Sequence, residues 1–108
     1  MKILLDENIP TKVKFDFGDD YKVKTVRDMK WLGKKNGELL GLMTFHGFDF
    51  FITNDTNLKK QQILNKFEIN IILILSKDNK HQTLQQFVAK IKDLLAQKNY
   101  SRFNEIAL

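Results

Sequence analysis

Residues 69–75, Ile-Asn-Ile-Ile-Leu-Ile-Leu, constrain the fold more than any other stretch of the chain. A continuous β-branched and aliphatic run has little to offer water, so it predicts a strand buried on both faces at the centre of a parallel sheet. Such a sheet needs helices above and below it. The remaining segments alternate in a way that supplies them.

Ile3-Leu4-Leu5 is a short apolar run closed by Asp6-Glu7-Asn8, and reads as a first buried strand. Pro10 suits the first turn of a short helix through Val13, Phe15 and Phe17, with Asn8 as its candidate cap. Gly18-Asp19-Asp20 ends it. Tyr21, Val23 and Thr25 alternate with lysines in a second strand, placed towards an edge. A loop over 27–35 contains Trp31, read as an anchor against the core. A helix over 37–46 follows, with Leu39, Leu40, Leu42 and Met43 as its apolar face and Gly47 as its stop. Residues 48–53 form a third strand ending at Asn54-Asp55. A modest helix is expected over 57–67, and a stronger one over 80–97, where Leu84, Phe87, Val88, Ile91, Leu94 and Leu95 share one stripe. The tail, 101–108, can add a last strand. This order predicts one domain over 1–108, a three-layer α/β/α sandwich around a mostly parallel four- to five-stranded sheet. Its crossovers should be right-handed.

Composition narrows the chemistry. The 43% hydrophobic content suits a globular domain, and no apolar window approaches the length of a membrane span. The apolar run at 3–5 is too short for a signal peptide, so a cytoplasmic location is expected. Cysteine is absent, which excludes disulfides, thiolate catalysis and sulfur-ligated zinc. The net charge of +5 permits electrostatic attraction to nucleic acid, and equally describes a solvated lysine-rich surface.

Ligands of open parallel sheets bind beyond the carboxyl ends of the strands. Those positions here hold Asp6, Glu7 and Asn8; then Arg27 and Asp28; then Asn54 and Asp55; then Ser76, Lys77 and Asp78. Every strand end thus carries a carboxylate, and parallel strands should set Asp6 and Asp55 along one rim, within reach of a common ion. An oxygen-only set suits Mg²⁺ or Mn²⁺. The ordinary readings stand beside this one. Asp and Asn shape turns through their own backbone, and Asp55 is also a fitting helix cap. Glu38, early in its helix, is favoured there by the dipole alone. His46 reads as a helix-end residue and His81 as a surface one. Lys59-Lys60 is a solvated pair or a phosphate contact.

The segments Leu4-Leu5-Asp6-Glu7-Asn8-Ile9-Pro10, Thr25-Val26-Arg27-Asp28, Gly33 before a helix bearing Glu38, and Ile52-Thr53-Asn54-Asp55 resemble the small stand-alone PIN-like proteins of prokaryotes. The resemblance covers about residues 1–78. It implies a family similar to PIN-domain nucleases, including VapC toxins, in which clustered acidic residues bind Mg²⁺ or Mn²⁺ and RNA is cleaved. On that footing Asp6, Glu38 and Asp55 are the catalytic carboxylates, with Asp6, Glu7 and Asp55 on the metal. Asn8, Asn54 and Asn57 support them, and Arg27 and Asp28 shape the rim or meet phosphate. The implied partners are RNA, an antitoxin protein and a second copy of the chain. Two positions depart from the pattern: Asn57 and Asn36 stand where relatives often carry Asp. Each removes a negative charge, so the alternative is a catalytically weakened module that binds RNA or a protein. A phosphoacceptor receiver domain is a third reading, since it also places an acidic pair after strand one and Asp after strand three, with Ser76 and Lys77 as strand-end residues.

Overall fold

The computed structural model describes residues 1–60 and 65–108. Five strands, β1 (Lys2–Leu5), β2 (Lys22–Thr25), β3 (Phe50–Thr53), β4 (Asn70–Ile74) and β5 (Phe103–Ile106), form one sheet in the order β2-β1-β3-β4-β5. All its pairings are parallel. Helices α1 (Val13–Asp16), α2 (Asn36–Phe45) and α3 (His81–Ala96) connect them, with a 3-10 turn at Thr56–Lys60. The expected sandwich is therefore present, with the tail as a fifth strand and no antiparallel member.

Side-chain alternation along each strand divides the core in two. Ile3, Leu5, Phe50, Ile52, Ile72, Ile74 and Ile106 point to the first face, where Val13 and Phe17 around α1 and Leu84, Phe87, Val88, Ile91 and Leu95 of α3 cover them. Leu4, Phe51 and Ile71 point to the second, under Leu39, Leu40 and Met43 of α2, with Trp31 and Leu58. Trp31 anchors its loop as expected, with its ring edge-on to Phe48 and His46. The run at 69–75 earns its apolar composition, since Ile71, Ile72, Leu73 and Ile74 are all buried.

One expectation fails. From β1 the chain moves to one side through α1 on the first face, and from β2 it returns across β1 to β3 through α2 on the second. Direction and face both reverse, so these crossovers share a hand. β4 to β5 runs in the same direction as β2 to β3, yet α3 lies on the first face, so this crossover has the opposite hand to the others. Uniformly right-handed connection is the strong rule for parallel sheets. The two helices on that face differ in length: α1 spans 4 residues and α3 spans 16. A single turn covers little of the first face, and α3 must cover the rest.

Smaller corrections concern the first loop. The expected helix after Pro10 shrinks to one turn, because Val13 and Lys14 bond back to Pro10 and Thr11 in tight turns before it. Asn8 does not cap it; Lys12 holds the N-cap position without a side-chain bond. Gly47 does stop α2, at φ +76°, a conformation costly for residues with a Cβ. Of the helix expected over 57–67, residues 61–64 lie outside the described residues, as do the side chains of Lys59 and Lys60. His81 is half-buried, not a free surface residue: its Nε2 lies 2.8 Å from Asp16 Oδ2, joining α3 to α1. Among the described residues no helix is long and apolar enough to cross a membrane.

Candidate metal centre at the sheet rim

Strand order reverses at the β1/β3 boundary, the place where open α/β sheets leave a crevice beyond their strand ends. Asp6 stands there. Its backbone N–H donates to the Ile52 carbonyl at 2.9 Å, which extends the β1–β3 pairing one residue beyond β1. The side chain is 9% exposed and held from two sides. The Thr53 hydroxyl donates to Oδ2 at 2.7 Å, and the Glu7 N–H donates to Oδ1 at 2.8 Å. Thr53 is itself fully buried, and its Oγ1 accepts the Asp55 N–H at 3.0 Å. One hydroxyl therefore links the two strand-end aspartates.

Burial, above all, pushes the Asp6 carboxyl up from its ordinary pKa, and the charges of Glu7 and Asp55 push the same way. The Thr53 hydroxyl and the Glu7 N–H resist without reversing this. Among the described residues no lysine or arginine forms an ion pair with Asp6, Glu7 or Asp55. The Glu7 and Asp55 charges thus act on a buried Asp6 carboxyl that no described cation pairs.

Asp55 shapes the turn after β3. Its Oδ1 accepts the Asn57 N–H at 3.0 Å and its carbonyl accepts the Leu58 N–H at 3.1 Å, as the ordinary reading held. The side chain stays half-exposed at the rim. Asn54 reaches across to the loop after β4 and hydrogen-bonds Asn79. Glu7, Asn8, Asn57 and Arg27 are exposed around the same rim. Glu38 lies in the first turn of α2, exposed and 3.8 Å from Lys34 Nζ, and no hydrogen bond joins it to the Asp6 cluster.

Asp28 is a brace. Its Oδ2 accepts the Thr25 N–H at 2.9 Å while its own N–H donates to Thr25 Oγ1 at 2.9 Å, and Lys14 Nζ lies 3.0 Å from Oδ2. Burial is the largest single influence on its pKa and is unfavourable to the charge, but the Thr25 N–H, the Lys14 ammonium and the Thr25 hydroxyl outweigh it and hold the carboxyl below its ordinary value. The clasp fixes the β2 rim loop to α1.

Thr53, Thr25 and Asn79 are the working residues that sequence reasoning left without a role. Thr25-Val26-Arg27-Asp28 did carry a signal, the S/T-x-x-acid spacing of a reciprocal capping pair. Thr53 stood in the Ile52-Thr53-Asn54-Asp55 segment without a role of its own, and its bond to Asp6, like that of Asn79 to Asn54, carried no local signal, since those partners are 47 and 25 residues away. Among the described residues no three His, Asp or Glu side chains are grouped so as to hold an ion by themselves. Comparison with known proteins finds no match among protein-family models, curated proteins or solved structures.

Proposed function

We propose that the chain is a PIN-like ribonuclease that hydrolyses RNA phosphodiesters with Mg²⁺ or Mn²⁺. The observation that carries this reading is the buried Asp6 carboxylate at the β1/β3 crevice, repelled by Glu7 and Asp55. A hard divalent cation would relieve that repulsion, and the donor set fits one: carboxylate oxygens, no cysteine, and histidines engaged elsewhere. Asp6 and Asp55 would hold the ion, with Glu7 beside them and substrate or water oxygens completing the shell. When bound, it polarises a phosphoryl oxygen and lowers the pKa of water.

The protein's own part is orientation. Thr53 and the Glu7 N–H fix both Asp6 oxygens, so the carboxylate needs no reordering to bind. The Asn54–Asn79 bond holds the β3 and β4 rim loops together, and the Asp28 clasp holds the β2 loop. Exposed Arg27 on that loop is suited to a substrate phosphate. Glu38, in the first turn of α2, would be the third catalytic carboxylate of this reading. Its setting is a cytoplasmic toxin–antitoxin pair, with an antitoxin protein and a second copy of the chain as partners.

The test is RNA cleavage in Mg²⁺ or Mn²⁺ by the wild type and by Asp6→Asn and Asp55→Asn, with folding followed by circular dichroism. The reading expects cleavage lost in both variants with the fold retained. Cleavage surviving in both would refute the site. A folded wild type that binds RNA without cutting it would instead establish the weakened module that Asn36 and Asn57 point to.

A further inference from the structure

A second concavity lies on the same rim. The first turns of α3 and the ends of β4 and β5 line a cleft of about 290 Å³. Leu75 and Leu108 supply apolar surface over the buried Phe87 ring, Thr83 and Gln86 a polar wall, and Lys77 a cation at the margin. Leu75 and Leu108 are 41% and 62% exposed, two large aliphatic side chains left open to water in one concave place. Lys80 lies three residues beyond Lys77 on the loop entering α3, also exposed.

We propose that this cleft is a nucleobase subsite, receiving one base of the strand whose phosphate lies at Asp6 and Asp55. The inference rests on the nuclease reading for its register. Adjacent strands lie about 4.8 Å apart, so the β4/β5 boundary sits roughly 10 Å from the β1/β3 boundary. A nucleotide one or two removed from the carboxylates therefore presents its base here. The aliphatic surface of Leu75 and Leu108 accepts the base's flat face by removing apolar area from water. Gln86 offers both a donor and an acceptor to a base edge. Thr83 is partly committed, because its hydroxyl bonds Asp78. Lys77 and Lys80 carry the charge that a neighbouring phosphate requires.

The experiment is a titration of uridine, adenosine, cytidine and guanosine monophosphates into ¹⁵N-labelled protein in EDTA, with inorganic phosphate as a parallel arm. Saturable shifts are expected at residues 75–77, 83, 86 and 87 with nucleotides and not with phosphate. Ala107→Glu, which sets a carboxylate against the nucleotide phosphate from an exposed position, should weaken binding about tenfold or more. Gln86→Ala should change the ranking of the four bases without unfolding the chain. Shifts limited to Lys77 and Lys80 and reproduced by phosphate would overturn the proposal, as would no shifts at all. Asp6→Asn separates the two readings: the subsite predicts unchanged nucleotide shifts in that variant, whatever happens to cleavage.

Discussion

Replacing Thr53 by valine keeps the side chain's shape and β-branching and removes one oxygen. That oxygen makes two bonds: it donates to the Asp6 carboxylate at 2.7 Å and accepts the Asp55 N–H at 3.0 Å, in a residue with no solvent exposure. A hydrogen bond to a charged group contributes about 1.5–3 kcal/mol, and a neutral one about 1 kcal/mol. The added methyl group returns somewhat under 1 kcal/mol. Thr53→Val should therefore destabilise the fold by about 2–3 kcal/mol at neutral pH, read as a lower urea midpoint with unchanged slope. In an Asp6→Asn background the charged bond is already gone, so the same change should cost only about 1 kcal/mol. The coupling of about 1–2 kcal/mol between the two sites is the quantity that matters. The cost should also shrink in acid. Asp6 has a raised folded pKa, so it is protonated as pH falls through that value, and the bond loses its charge-assisted part. An equal cost in both backgrounds, or a cost under about 0.5 kcal/mol, would refute the hydroxyl link between the strand ends.

Three further outcomes follow from the same geometry. Asp6→Asn should raise stability in EDTA at pH above the Asp6 folded pKa, because ionised Asp6 opposes folding there; the wild type should close the gap as pH falls through that value towards 3.8, seen in urea titrations across that range. Asp28→Ala should cost about 1–2 kcal/mol at pH 7 by loss of the Thr25 clasp; the depressed Asp28 pKa makes this contribution present above 3.8 and lost as pH falls through the folded value, so wild type and variant should converge in acid. Lys30 has φ +62°, a left-handed conformation, so Lys30→Gly should stabilise the β2 rim loop by up to about 1 kcal/mol in thermal unfolding.

The sheet was legible because its strands are marked by composition. Ile71 to Ile74 cannot satisfy a half-exposed position, and Leu84, Phe87, Val88, Ile91 and Leu95 repeat at helical spacing, so β4 and α3 lie within a residue or two of their expected bounds. Their relation was not legible. α3 packs on the face that α1 leaves largely bare, and α1's shortening to one turn goes with tight turns around Pro10 that composition does not reveal. Asp6 and Asp55 were found because chemistry collects at strand ends. The tie between them was not, because a threonine inside Phe-Phe-Ile-Thr reads as one more β-branched residue until the partner strand brings Asp6 beside it.

The most direct test of the rim as a metal centre is calorimetric titration of Mn²⁺ into the wild type and into Asp6→Asn at neutral pH. Saturable binding in the wild type that is lost in the variant is the result this account predicts. Equal heats in both proteins, or none in the wild type at millimolar Mn²⁺, would contradict it.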